Sequence, residues 1–380
     1  MIGTADRGGL SLPALAPILM LAAHRRRRLV ASPIRALDID AVARGLARFV
    51  AAACGAGHVA EDLRVMEAGH AGLTFGFDLV GPDRGDRRAL VLKLAPPGVR
   101  RSGNTDVYKQ APLLRALHAA GLPAPDVPYA DAGESWFGTP FVIMERLPGV
   151  PFFVWHPDPA FDRSPAAVMP LYEQTIEAMA AIHRFDWRRH LPDWEAPRAL
   201  AEEVVRWDPV LAKAPRADWI ERGRAVRDAL LATRPDGAPI GLVHGDCQPG
   251  NALFADGRLT GLIDWELASI GSRRIDAGWM MMLADGASWP DEWRPVCPMT
   301  PAEVGARYAQ AMAEACEDLP WYQAYAGYRL GAIACLNVHL HRSGRRRDDT
   351  WERFALAIEP MFARAAAIVE HLPLTTGAPR

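Results

Sequence analysis

The hydrophobic pattern of the chain changes character once. From residue 37 to 53 apolar side chains recur at helical spacing, with Asp38 or Asp40 placed to cap the start, so a helix is expected there. Three shorter apolar stretches follow, Leu63–Met66, Thr74–Val80 and Ala89–Leu94. They are separated by glycine-containing turns at Gly69–Gly72 and Gly81–Gly85 and read as strands. Residues 106–120 predict a second helix, ended by Gly121 and Pro123, with Pro112 expected to kink its first turn. A strand pair around the turn at Asp131–Glu134 ends in Phe141-Val-Ile-Met144. After Leu147-Pro148-Gly149 long helical stretches take over, at 165–184, 198–212, 217–232, 301–316 and 320–340. One short β insertion, 240–264, interrupts them.

This order predicts an α+β protein of two lobes: a small antiparallel sheet lobe over 37–147 and a larger, mainly helical lobe over 148–372, with a short tail at 373–380. The cleft between them is where a ligand is expected. No internal repeat or low-complexity tract appears within either lobe.

Residues 1–36 stand outside this pattern. Leu10 to Ala23 is apolar but holds Pro13 and Pro17, and Arg25 to Arg28 follow it. The stretch is too short to span a bilayer and has the reverse charge order of a secretory signal, so it reads as a flexible extension or a misassigned start.

Composition narrows the field. The 380 residues carry 43 basic and 45 acidic side chains, a formal charge of −2 that provides no field for nucleic acid or an anionic membrane. The five cysteines, Cys54, Cys247, Cys297, Cys316 and Cys335, include no C-x-x-C pair, which fits reduced thiols in a cytoplasmic protein rather than a disulfide or zinc framework. Only Lys93, Lys109 and Lys213 among the basic residues are lysines, so each surviving lysine is informative.

The chemistry concentrates in Gly241 to Trp265, GLVHGDCQPGNALFADGRLTGLIDW. Asp256-Gly257 between two apolar runs signals a two-residue hairpin. Pairing outward from that turn sets Asn251 opposite Leu262, with Asp264 further along the same strand and face. Diagonal neighbours of this kind lie roughly 7–8 Å apart. An amide oxygen and a carboxylate so placed can converge on one Mg²⁺, which prefers oxygen ligands. Asp246, on the loop before the hairpin, can then take the proton from an attacking hydroxyl.

His244-Gly245-Asp246-x-x-x-x-Asn251 followed by Ile263-Asp264-Trp265-Glu266 resembles the catalytic core of the aminoglycoside phosphotransferase and choline kinase superfamily. The resemblance extends over about residues 37–370 and implies a two-lobed, protein-kinase-like fold. It implies an ATP-dependent phosphotransferase, with GTP as an alternative donor, acting with Mg²⁺ on a small-molecule hydroxyl. It assigns Asp246 as catalytic base, and Asn251 and Asp264 as the metal ligands. Glu67-Ala-Gly-His-Ala-Gly-Leu-Thr-Phe75 resembles the family's phosphate loop, so the backbone of Gly69, His70, Ala71 and Gly72 is expected to cradle phosphate. Relatives often carry serine where Ala71 stands.

Lys93 sits where the family places its phosphate-binding lysine. The glutamate that pairs with it in relatives falls at Gln110, which can orient Lys93 by a hydrogen bond but not neutralise it; Asp106, one turn earlier, is the substitute. Phe141-Val-Ile-Met-Glu-Arg-Leu-Pro-Gly149 resembles the interlobe linker, whose backbone is expected to meet an adenine edge near Glu145 and Leu147. His183, in a stretch similar to the family's Leu-His-x-x-Asp helix end, reads as a packed capping residue.

Other motifs fail their context. Gly55-Ala-Gly-His-Val-Ala60 follows a helix rather than a strand, and no Walker sequence or nucleophile elbow is present. His339 and His341 lack a third metal ligand, and Arg342 with Arg345–Arg347 reads as a solvated face. Asp276 follows Asp264 by only twelve positions, which leaves no room for a peptide-docking activation segment. The acceptor is therefore expected to be a small molecule: a hydroxyacyl-CoA, an amino sugar or another alcohol. Glu266, Asp276, Asp285, Asp291 and Glu292 are candidate acids of its pocket, beside the apolar Trp279, Met280–Met282, Trp289 and Trp293. Asp264 to Gly271 with Asp276-Ala-Gly-Trp279 looks most like the kinase-like domains associated with acyl-CoA dehydrogenases, although Ser272-Arg-Arg274 replaces their usual Asp-Pro pair. A monomer or homodimer is expected. The competing reading is a catalytically inert, nucleotide-binding or regulatory module, with Gln110 and Ala71 in its favour.

Overall fold

Leu90, Leu92 and Leu94 alternate with Ala89, Val91 and Lys93, and that alternation decides which side chains of the smaller lobe face the cleft. A computed structural model of the protein describes residues 39–66, 73–98, 101 and 105–375. The smaller lobe contains α1 (Ile39–Ala53), β1 (Val59–Val65), β2 (Leu73–Val80), β3 (Arg87–Leu94), α2 (Gln110–Ala119), β4 (Tyr129–Asp131) and β5 (Phe141–Glu145). The strands form a five-stranded antiparallel sheet in the order β1-β2-β3-β5-β4. Val42, Leu46, Phe49 and Val50 of α1 pack against Phe75, Phe77, Leu90, Leu92, Leu94 and Phe141 on one face. Phe49 sits edge-on to Tyr129, Trp136 and Phe141 at 5.1–5.5 Å. The leucines of β3 are spent on that core, which turns Lys93 to the opposite face.

The second helix begins at Gln110, not at residue 106. Pro112 therefore falls in its first turn, where a missing N–H costs nothing, and introduces no kink. Asp106 takes the Lys109 amide at 3.2 Å and closes the turn before the helix. Leu113, Leu114 and Leu117 join the core of the larger lobe together with Val142.

The larger lobe contains β6 (Val150–Pro151), α3 (Pro165–His183), α4 (Trp187–His190), α5 (Leu200–Val205), α6 (Asp208–Leu211), α7 (Ala217–Ala232), β7 (Ile240–Val243), β8 (Ala252–Ala255), β9 (Arg258–Leu262), β10 (Ser269–Ser272), α8 (Arg274–Ala284), α9 (Pro301–Met312), α10 (Leu319–Arg342) and α11 (Thr350–Val369). The single helix expected over 198–212 is two, because Pro209 starts a new one. The helix expected over 301–316 stops at Met312, where Ala313 turns left-handed with φ +53°. Strand β10 and helices α8 and α11 were not anticipated.

Gly149 carries the chain between the lobes. Its φ is +108°, and a Cβ there would stand 2.5 Å from the Phe254 carbonyl, so only glycine fits. The chain then adds β6 to the β8–β9 hairpin. In that hairpin Asp256 and Gly257 are both left-handed, at φ +50° and +72°, as a two-residue turn requires. The register expected from the turn holds at Ala255↔Arg258 and Phe254↔Leu259, then shifts by one. A bulge leaves Thr260 unpaired, and its hydroxyl bonds Pro148 O at 2.6 Å and Leu253 O at 3.2 Å instead. Asn251 consequently faces Ile263, whose amide it accepts at 2.9 Å, and not Leu262. Among the described residues no helix is long and apolar enough to cross a membrane.

Candidate active site

The floor of the cleft is the loop between β7 and β8. Gly245 turns it with φ +92°, and a Cβ there would strike Leu267 at 2.7 Å. Below the loop, Asp276 of α8 accepts the amides of His244 at 2.7 Å and Gly245 at 2.8 Å, and also His183 Nε2 at 3.0 Å. His183 Nδ1 in turn meets Tyr308 Oη at 2.9 Å. Burial alone would raise the Asp276 carboxyl, but the hydrogen bonds from His183 and the His244 amide hold it below its ordinary value. Burial lowers His244 and keeps it neutral, so its Nε2 donates to Ile263 O at 3.0 Å while Nδ1 receives the Asp246 amide at 3.3 Å.

The loop presents three side chains. Asp246 is buried, and Gln248 Nε2 donates to its Oδ1 at 2.8 Å. Burial pushes this carboxyl well above the usual carboxylate range. Asn251 anchors its amide nitrogen on Asp246 O at 2.8 Å, which leaves Oδ1 buried with no hydrogen-bond partner. Asp264 follows β9 in a left-handed conformation, φ +65° and ψ +51°, which swings its carboxylate out of the strand direction.

The roof is Lys93. Its Nζ lies 3.8 Å from Asp264 Oδ1 and 3.7 Å from Glu266 Oε2, close enough for ion pairing but too far for hydrogen bonds. Burial and then the Asp264 charge push the Glu266 carboxyl well up, with Lys93 pulling the other way. Gln110 is also buried, yet its Nε2 has no partner and no hydrogen bond joins it to Lys93 among the described residues. The partner of Lys93 comes from the larger lobe, not from α2. On the linker, Glu145 gives its amide to Asp126 O at 2.8 Å, and the Leu147 side chain packs on Gly261.

The sequence expectations divide accordingly. Asp246, Asn251, Asp264 and Lys93 meet at one place. Asp106 does not stand in for the missing glutamate, because the Lys109 amide uses it. Glu266 and Asp276 are not acceptor-pocket acids: one faces Lys93, the other is consumed by the loop. Gly69, His70, Ala71 and Gly72, like residues 1–36, lie outside the described residues. Gln248 was missed, since a lone glutamine in a loop carries no signal in one sequence. His339 and His341 gather no further ligands; among the described residues no group of three His, Cys, Asp or Glu is arranged for a metal.

The donor set does suit a hard cation shared with phosphate oxygens. Such an ion takes one or two protein carboxylates or carbonyl oxygens and completes its shell elsewhere. The orphaned Asn251 oxygen beside an accessible Asp264 matches that need.

A sheet lobe and a helical lobe thus enclose an Asp, an Asn, a second Asp and a Lys. The sequence model of the phosphotransferase enzyme family, APH, matches residues 79–356, and the chain belongs to that family. An aminoglycoside 3'-phosphotransferase of Streptomyces fradiae is 29% identical over 202 residues, covering 49% of this chain and 68% of that protein. Acyl-CoA dehydrogenase family member 11 of Gallus gallus is 26% identical over 193 residues, covering 50% of this chain. The match spans only 24% of that much longer relative. A crystal structure from Ralstonia eutropha, provisionally assigned as an aminoglycoside phosphotransferase, superposes with a TM-score of 0.67. It shares 20% identity and covers 88% of this chain and 99% of its own, which establishes the fold.

Proposed function

We propose that the protein is a cytoplasmic enzyme that transfers the γ-phosphoryl group of a nucleoside triphosphate, ATP first, to the hydroxyl of a small molecule. The reading rests above all on Asn251, whose side-chain oxygen is buried and unpartnered while its nitrogen is fixed to the Asp246 carbonyl. A buried acceptor oxygen without a donor is costly unless a ligand supplies the missing partner. Asn251 and Asp264 would hold Mg²⁺, whose contribution when bound is to neutralise charge on the phosphates.

The residues of the chain do the rest. Gln248 fixes one oxygen of Asp246, and this carboxyl would receive the acceptor hydroxyl. The hydroxyl oxygen bonds the γ-phosphorus and its proton passes to Asp246. The bond to the bridging oxygen breaks, and its electron pair leaves on the nucleoside diphosphate. Lys93, 3.7 Å from Glu266, would meet phosphate oxygens, and the linker backbone near Glu145 and Leu147 would meet the base. Five unpaired cysteines agree with a reducing compartment. The inert-module reading leaned on Gln110 and Ala71; Ala71 lies outside the described residues, and the nearness of Lys93 to Asp264 and Glu266 weighs against the Gln110 argument.

A thermal-shift titration with Mg·ATP and Mg·GTP, wild type beside Asp264→Ala, tests the nucleotide site. Ligand at about 100 times its dissociation constant adds about 2.7 kcal/mol, and that gain should vanish in the variant. Diphosphate release from a panel of alcohols then tests transfer; stabilisation by nucleotide with no release on any acceptor would favour the inert module.

A further inference from the structure

The cleft roof carries a second cation besides Lys93. Thr74, Lys93 and Val142 form one row across the cleft face of the sheet, and Gly76, Val91 and Met144 form the next, about 7 Å nearer the linker. Thr74, Val91, Lys93 and Met144 are only half-buried, so the core does not seal this face. Gly76 leaves its row without a side chain, and two others fill the gap. A Cβ there would stand 3.4 Å from Met66 Sδ and 3.5 Å from Arg146 Nη1. Arg146 belongs to the linker, between Glu145 and Leu147, and its amide ties the linker to β3 at Ala89 O, 3.0 Å away. Its Nη2 donates to Asp78 Oδ1 at 2.9 Å, and Asp78 Oδ2 takes Arg87 Nε, also at 2.9 Å. That leaves Nη1 buried beside Gly76 with no acceptor among the described residues, on a side chain that is still 24% exposed.

A charged N–H donor without an acceptor is costly unless a ligand answers it. Phosphate oxygens belong one row away, with Lys93, so the part of a nucleotide left for Arg146 is the part that lies against the linker. We propose that Arg146 roofs the nucleobase: its guanidinium covers the π face of the ring, which takes the place of the missing acceptor, and the protein selects purine over pyrimidine nucleoside triphosphates. This rests on the phosphotransferase reading. A guanidinium is planar, weakly hydrated and stacks on aromatic faces, and a purine offers it more ring than a pyrimidine does. Asp78, shared with Arg87, holds the guanidinium in place, and Gly76 keeps open the space that a side chain would close. The base is a spectator in the transfer, and its bonds do not change.

The experiment measures binding to the full chain by calorimetry, with the Mg²⁺ complexes of ATP, GTP, CTP, UTP and inorganic tripolyphosphate, in wild type, Arg146→Ala and Arg146→Lys. Transfer is read separately, by diphosphate release from a panel of alcohols. Wild type should bind the purine nucleotides about 2- to 30-fold tighter than the pyrimidine ones, the worth of one cation–π contact. Arg146→Ala should remove that preference and leave tripolyphosphate affinity unchanged. An equal loss for tripolyphosphate would make Arg146 a phosphate-binding charge, and an equal loss for all four nucleotides would make it a sugar contact; either result, or no loss at all, overturns the proposal. If Arg146→Ala fails to fold, Arg146→Lys decides, because it keeps the charge and has no plane to stack: a retained purine preference overturns the proposal. Purine-selective binding that needs Arg146, without transfer to any alcohol, would uphold the base subsite and sink the phosphotransferase reading. Transfer from all four nucleotides at equal affinity would do the opposite, and a wild type that binds none of them would sink both.

Discussion

Two buried carboxylates thirty positions apart in the chain serve opposite ends. Asp276 accepts two backbone amides and a histidine, so every lone pair that faces a donor is used, and its carboxyl is held low. Asp246 has its Oδ1 bonded by Gln248, yet is pushed high by the same burial. Desolvation acts on both, and what differs is how many donors answer it. Saturation under the floor fixes the loop, whereas the unmet valence at its surface, Asn251 Oδ1, is where the proposed cation has something to gain.

The widest separation should come from mutating each carboxylate. Asp246→Asn keeps shape and removes the proposed base, so turnover should fall about 10²- to 10⁴-fold with KM for nucleotide and the melting temperature nearly unchanged. Asp276→Ala should do the reverse in stability: it strands two loop amides and a histidine, costing about 3–5 kcal/mol in a denaturant melt. Equal losses of stability in both variants would erase the distinction between a loop anchor and a reacting group.

Glu203 repeats the saturated condition in a different part of the fold. Burial would raise it, but Arg206, Arg329, Arg198 and the Tyr325 hydroxyl outweigh that and bring it to about 2 from 4.5. A carboxylate whose folded value is depressed adds stability that is fully present above the unfolded value. That stability is lost as pH falls toward the folded value. Unfolding free energy should therefore decline by about 3 kcal/mol between about pH 5 and pH 2 on account of this group. Glu203→Gln should flatten that part of the profile; an unaltered slope would mean that other carboxylates carry it.

Much of this was legible in the chain. The alternation of β3 placed Lys93 on the cleft face, because three leucines could serve only one core. Asp256-Gly257 set the hairpin, and the polar spacing from His244 to Asp264 marked the floor. The register error came from Thr260, whose hydroxyl leaves the ladder for the linker carbonyl, a contact that depends on where the lobes meet. The same limit hid Glu266: its partner Lys93 lies far away in sequence, and only the closed cleft brings them together. Asp276 was visible as an acid but not as an acceptor of backbone amides, which a sequence does not display.

The finest contrast lies on the roof, between Glu266 and Gln110. Glu266→Gln removes a carboxyl 3.7 Å from Lys93 and leaves that lysine to Asp264 alone, drawing it toward a prospective metal ligand. Nucleotide affinity should drop by up to about 10-fold, ~1.4 kcal/mol, as Lys93 loses that neighbour and shifts toward Asp264. Gln110→Leu removes a buried amide nitrogen that bonds nothing, so it should be neutral or slightly stabilising, within about 1 kcal/mol, and leave nucleotide affinity alone. The two variants side by side identify the residue that positions Lys93. If Gln110→Leu weakens Mg·ATP as much as Glu266→Gln does, the helix rather than the floor of the cleft governs the lysine, and the asymmetry between a saturated floor and a loosely held roof disappears.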